Sequence, residues 1–213
     1  MKCIYCDHPQ TYVLGDGMEK CTKCLRKFSP KKIKKEQKVL ALFIKGMNAT
    51  EASKLTGMHI ATIQKYYQNF RKTIALYSDG QYRLHADKVD EYDEYLYLPK
   101  SLKKFDENID KVQHFLTLSY ENNVYNLMMP TIQHFQYDMN DKQENKLLSK
   151  YLRFNKVAKL KKIDNSITKF WDFFETFILQ YKGVSDEQFI YYLKEAEWRF
   201  NYTKEEQKAT FIS

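Results

Sequence analysis

Glycine and proline are scarce: 6 and 4 in 213 residues. A chain so poor in both offers few long flexible linkers, and it contains neither an internal repeat nor a low-complexity tract. No uncharged apolar run approaches the length of a membrane span, which excludes a transmembrane helix read from hydropathy. No signal peptide precedes the first cysteine, so the expected setting is the reducing cytoplasm. Cysteine is confined to the first 24 residues. The five histidines (His8, His59, His85, His114, His134) show no ligand spacing and read as surface or loop residues. Apolar residues are plentiful at 43%, and 31 tyrosines and phenylalanines can build a proper core, which argues against wholesale disorder.

The four cysteines form two Cys-x-x-Cys pairs, Cys3/Cys6 and Cys21/Cys24, separated by 14 residues. Two knuckles at this spacing can offer four thiolates to one tetrahedral Zn²⁺, as in a zinc ribbon. About 25 residues cannot bury enough apolar surface to fold unaided, so the ion would supply the folding free energy. A pair of disulfides suits the compartment and the spacings less well, and no βαβ pattern surrounds the cysteines to make them redox dithiols.

Charge is segregated. Residues 1–75 carry 15 Lys and Arg against 5 Asp and Glu, whereas the rest carry 20 against 22. The net charge of +8 therefore lies entirely in the first third. A basic module joined to a near-neutral domain is what a nucleic-acid-binding protein looks like; a merely soluble basic surface is the plainer alternative.

Within residues 1–30, Thr11 to Leu14 and Met18 to Lys20 read as strands around a Gly15-Asp16-Gly17 turn, and Phe28 is placed against the knuckles. A lysine-rich stretch follows, with Ser29-Pro30 positioned to open a helix. Val39, Leu42, Phe43 and Met47 recur at helical spacing from Lys34 to Lys45, ending at Gly46. Asn48 and Glu51 form a capping-box signature for a short helix through Leu55. After Thr56-Gly57, a longer helix is expected from Ile60 to Leu76, its buried stripe being Ile60, Ile63, Tyr67, Phe70 and Ile74. Residues 31–78 thus read as a helix-turn-helix, the alternative being a three-helix bundle with a solvated polar face. Candidate DNA contacts are Lys31, Lys32, Lys34 and Lys35 before the motif, and Thr62, Gln64, Lys65, Tyr66, Gln68 and Lys72 on the second helix.

Residues 79–88 read as a linker. Asp90 to Leu98, Val112 to Tyr120 and Asn123 to Met129 read as strands, the last two joined by a hairpin turn at Glu121-Asn122-Asn123. Asp141 to Tyr151 reads as a helix and Phe154 to Leu160 as a short strand. Two aromatic helices close the chain. One carries Phe170, Phe173, Phe174, Phe177, Ile178 and Tyr181; the other carries Phe189, Tyr192, Leu193, Ala196 and Phe200, opened by a Ser185/Gln188 capping box. Both stripes are core in this reading, and residues 205–213 are a tail.

Three signatures together resemble the bacterial insertion-sequence transposases that join a zinc ribbon and a helix-turn-helix to a DDE-type, RNase H-like core. They are the ribbon running into the helix-turn-helix, the strand Glu91-Tyr92-Asp93-Glu94-Tyr95, and a closing sequence. That last part includes Asn165-Ser166-Ile167-Thr168-Lys169-Phe170-Trp171 and Leu193-Lys194-Glu195-Ala196-Glu197-Trp198-Arg199-Phe200-Asn201. The resemblance implies a multidomain α+β chain whose residues 89–204 form a shortened RNase H-like α/β domain. It also implies phosphodiester chemistry on two Mg²⁺ or Mn²⁺ ions, which in such sites lie about 3.5–4 Å apart and need carboxylate ligands. Asp93 matches the first acidic position, and Asp138 or Asp141 is left for the second. The third is occupied by Thr168, and Glu175 stands where a basic residue belongs; Asp172 or Glu175, four and seven residues beyond Thr168, could stand in. The implied protein is thus a transposase-like DNA-binding protein with a damaged catalytic set, or a transposase-derived regulator or architectural protein without enzymatic activity. Its expected partner is double-stranded DNA, with room for a homodimer, no membrane and no small-molecule substrate; its expected place is the cytoplasmic nucleoid.

Overall fold

A computed structural model describes residues 2–98, 112–130 and 164–211. It divides the chain into two compact units, Met1–Gln68 and Asn69–Ser213. The stretches 1–30 and 31–78, read from sequence as separate modules, thus largely share one unit.

In the first unit, β1 (Thr11–Val13), β2 (Glu19–Cys21) and β3 (Lys27–Phe28) form an antiparallel sheet in the order β1-β2-β3. The turn between β1 and β2 is tight because Gly17 takes φ +76° and the Asp16 carboxylate accepts the Met18 N–H. Helix α1 (Pro30–Ile44) begins four residues earlier than the apolar spacing predicts. Ser29 caps it by accepting the Lys32 N–H, and Pro30 supplies a preset φ where no N–H is needed. Helix α2 (Ala49–Thr56) carries the expected reciprocal capping box between Asn48 and Glu51, and stops at Gly57 with φ +70°. Helix α3 (Ile60–His85) follows at once. Val39, Phe43, Ala52, Ile63 and Tyr67 are buried, the rings of Phe43 and Tyr67 meet edge-on, and Tyr67 donates its hydroxyl to the Met47 carbonyl.

The segment 79–88, expected as a linker, is instead the continuation of α3 to His85, followed by a 3-10 turn at Ala86–Lys88. Gly80 lowers helix propensity, but tertiary contacts within the second unit outweigh it. Tyr82 stacks on Tyr125 at 4.0 Å between ring centres, and Asp79 accepts the Tyr125 hydroxyl at 2.7 Å.

The second unit contains an antiparallel meander of β4 (Val89–Tyr97), β5 (Gln113–Tyr120) and β6 (Asn123–Met128), in the order β4-β5-β6. All three strands lie within a residue of the bounds read from sequence. Glu121 and Asn122 both take positive φ (46° and 67°), as a two-residue hairpin turn requires. Tyr95, Tyr97, Phe115 and Val124 pack with Phe170, Trp171 and Phe174 of α4 (Ser166–Ile178) and with Phe189, Leu193 and Ala196 of α5 (Asp186–Asn201). The aromatic stripes are core, as expected. Ser185 sits at the α5 N-cap but makes no side-chain cap hydrogen bond, so the expected capping box is not formed; Asp186 and Glu187 place negative charge in the first turn instead. The expected tail is part helix: α6 (Lys204–Ala209), opened by a Thr203/Glu206 capping box legible in the sequence. It contributes buried Gln207, and Trp198 donates its indole N–H to Thr210 just beyond it. The helix expected at Asp141 to Tyr151 and the strand at Phe154 to Leu160 lie outside the described residues.

Strand β6 lies at one end of the sheet order, and Asn201 at the end of α5 covers part of it. Its side chain accepts the Val124 N–H at 2.9 Å and donates to the Val124 carbonyl at 2.8 Å, an amide acting as one more rung of the ladder. Asn201→Ala leaves both groups of a buried residue unpaired. Thermal denaturation should read a loss of about 2 kcal/mol.

Candidate metal centre and nucleic-acid interface

The sulfurs of Cys3, Cys6, Cys21 and Cys24 all lie within 4.8 Å of one another. Cys3 and Cys24 are 3.6 Å apart, Cys6 and Cys21 3.7 Å. A disulfide would hold its sulfurs at about 2.05 Å. A tetrahedral ion about 2.3 Å from each thiolate would set them about 3.8 Å apart, so the cluster fits a four-thiolate metal site.

The two knuckles are built alike. In each, the first cysteine donates its N–H to a carbonyl five residues on, Cys3 to His8 and Cys21 to Arg26. The residue after the second cysteine is left-handed in both, Asp7 at φ 52° and Leu25 at φ 59°. Backbone N–H groups are aimed at sulfur: Tyr5 to Cys3, and Lys23 and Cys24 to Cys21. Such donors favour the thiolate, as a metal site needs. Before metal binds, burial resists ionisation of Cys21. The N–H groups of Cys24 and Lys23 and the facing thiols of Cys3 and Cys6 outweigh it and lower its pKa to about 6. At Cys6 the backbone contact with His8 pulls downward, but burial and the other three thiols push the pKa up to about 11. Cys3, Cys21 and Phe28 are buried, with Ile33 of α1 packed beside them.

The α2–α3 pair exposes the residues singled out as DNA contacts. Thr62, Gln64, Lys65 and Lys72 are exposed, and Tyr66 and Gln68 are half-buried. Ile63, Tyr67, Phe70 and Ile74 on the expected stripe are buried, and Ile60 is half-buried. Lys31, Lys32, Lys34 and Lys35 are all exposed on the first turns of α1.

The acidic positions fall differently. Asp93 is half-buried on β4, accepts the Glu94 N–H, and lies opposite Thr117 in the ladder. Thr168 is 6% exposed and belongs to the helix cap: it exchanges hydrogen bonds with Asn165, whose amide also donates to Glu91. Glu175 accepts the Tyr95 hydroxyl at 2.7 Å, an arrangement in which burial, then the Glu175 charge, raise the Tyr95 pKa well above the ordinary phenol range. Asp172 is exposed. Asp138 and Asp141 lie outside the described residues. Among the described residues, the cysteines are the one group of three or more Cys, His, Asp or Glu side chains close enough to share an ion.

Sequence reading passed over a buried ionic set in the second unit. Glu195, with no exposed surface, bonds Arg71 and Arg199; Glu197 accepts from Lys194 and from the backbone and side chain of Asn126. The only advance sign is charge interleaved with Leu193, Ala196 and Trp198 on one helix.

The chain is thus a mixed α+β protein with a four-cysteine cluster able to hold a metal ion, and no described helix is long and apolar enough to cross a membrane. Compared with known proteins, it matches no family model, no curated protein and no solved structure.

Proposed function

We propose that the chain is a transposase-like DNA-binding protein in which a structural Zn²⁺ holds the amino-terminal ribbon, the α1 lysines bind phosphates, and α3 reads a groove of double-stranded DNA. The observation that carries this reading is the α2–Gly57–α3 arrangement: it buries Ile63 and Tyr67 while leaving Thr62, Gln64 and Lys65 exposed. The α1 lysines lend support. Helix α1 has no acidic residue in its first turn, and cations there oppose the helix dipole by a few tenths of a kcal/mol each. A bound polyanion removes that penalty.

Fluorescence anisotropy with duplex DNA across a salt series tests the proposal. Replacing Lys31, Lys32, Lys34 and Lys35 by Gln should flatten the slope of log affinity against log salt by about 3 to 4, if each lysine neutralises one phosphate. A wild-type affinity indifferent to salt defeats the reading.

Within this class, Thr168 and Glu175 favour a non-enzymatic regulator or architectural protein over an active transposase. One is spent on a helix cap and the other holds a buried tyrosine hydroxyl. An active enzyme would use Asp93 with Mg²⁺ or Mn²⁺. Strand-transfer assays with Mn²⁺ on wild type and Asp93→Ala separate the two, and activity that disappears in the variant would establish the enzyme.

A further inference from the structure

We infer that the outer face of the ribbon sheet is a second nucleic-acid site, one that takes a single strand: Tyr12 stacks on an unpaired base while Lys20 and Lys27 hold the neighbouring phosphates. The inference goes beyond duplex binding by α3 and uses none of the same residues.

The ladder register assembles the site. Tyr12 lies opposite Lys20 on β1 and β2, and Lys20 lies opposite Lys27 on β2 and β3. Residues directly opposite one another share a face, so the three side chains form one row across the whole sheet. The neighbouring rows, Thr11–Cys21 and Val13–Glu19–Phe28, place Cys21 and Phe28 in the metal-side core on the other face.

Folding alone gives no reason for this composition. Strands lie about 4.8 Å apart, and like charges set opposite each other at that spacing are destabilising. The row contains no carboxylate. Glu19 belongs to the opposite face and accepts the Thr11 hydroxyl at 2.6 Å, while Asp16 is engaged in its turn. Among the described residues, neither Lys20 nor Lys27 has an ion-pair partner. An occupant bearing closely spaced negative charges relieves the repulsion.

Tyr12 narrows the occupant further. Its side chain is 45% exposed on the strand at the open end of the sheet. One exposed tyrosine is ordinary. A tyrosine beside two unpaired lysines on a sheet face is the pairing of stacking platform and cationic track that grips single strands. A duplex keeps its base faces stacked inside, so such a ring can stack only on an unpaired nucleotide.

The test uses the zinc-loaded full chain, a short oligothymidine, and a duplex of equal length, with metal content measured beside each variant. Tyr12→Ala should lower oligothymidine affinity about tenfold or more, and Tyr12→Trp should retain it, with duplex affinity unchanged in both. Lys20→Gln with Lys27→Gln should flatten the oligothymidine salt slope by about 1.4. That pair carries the test where Tyr12→Ala lowers metal content. Wild type that ignores oligothymidine, Tyr12→Ala that binds it undiminished, equal losses on both probes, or displacement by polyglutamate as effective as by oligothymidine each overturn the site. Oligothymidine binding with these sensitivities but no duplex binding keeps this site and removes the α3 reading.

Discussion

Chelating the proposed zinc from the purified protein should abolish the ordered structure of residues 2–28 while the sheet-and-helix unit stays folded. The ribbon's interior amounts to Cys3, Cys21 and Phe28, with Cys6, Cys24 and Ile33 packed beside them, too little apolar surface to offset the entropy of ordering its backbone. A structural zinc contributes about 10–16 kcal/mol at neutral pH, so its loss exceeds anything the remaining contacts supply. Metal removal should collapse the amide resonances of Thr11–Val13 and Glu19–Cys21 into the random-coil range. Cys21→Ala should do the same, since it removes both a ligand and the acceptor of two N–H groups. The ribbon should also be lost on acidification. The ion needs thiolates, protons compete for them, and a metal-free Cys6 near pKa 11 and Cys21 near 6 are both mostly protonated at pH 5. Apparent metal affinity should therefore rise from pH 5 to pH 8. A ribbon spectrum that survives complete metal removal would refute the metal-dependent fold.

The second large effect is expected at Glu195. Its Oε2 lies 2.6 Å from Arg71 Nε, and its Oε1 lies 2.7 Å from Arg199 Nη2. Arg71 is itself buried, its guanidinium 4.0 Å from the Tyr192 ring centre and 5.2 Å from that of Tyr181. Burial alone would push the arginine toward neutrality; Glu195 reverses this and raises its pKa. Glu195→Ala strands a buried guanidinium without its counter-charge, a change that costs about 3–5 kcal/mol. For a chain of this size that is a fall in melting temperature of about 10 °C. Adding Arg71→Met to Glu195→Leu should recover the part of the loss owed to Arg71 and leave the part owed to Arg199, because the cost lies in each unpaired charge. A urea titration placing Glu195→Ala within about 0.5 kcal/mol of wild type, the range of ordinary surface substitutions, would show the pair to be idle.

Much of the architecture could be read because its causes are local. Ser29-Pro30, Asn48 with Glu51, and Gly57 mark helix ends through bonds spanning three or four residues. Strand β4 was legible from its aromatic residues Tyr92, Tyr95 and Tyr97, and the β5–β6 hairpin from Glu121-Asn122. The four-cysteine cluster was legible because Cys-x-x-Cys spacing already brings two sulfurs onto one knuckle. Other features had no local sign. Strand β3, two residues long, exists because Cys24 returns the chain alongside β2. The left-handed Leu25 is a conformation that only its knuckle imposes, since nothing in a leucine side chain favours it.

The amino-acid sequence by itself determined the knuckle pairs, the helix caps and the strand alternation, since each depends on residues within a few positions of one another. It also determined the amino-terminal concentration of positive charge, which is a matter of composition alone. Only tertiary structure decided that α3 continues through Gly80, where Tyr82 and Asp79 meet Tyr125. It also decided that Lys194, Glu195 and Glu197 are buried rather than solvated, and that Glu175 serves Tyr95. The physical reason is the same in each case. Burial and hydrogen bonding between residues tens of positions apart outweigh local propensities of about 1 kcal/mol.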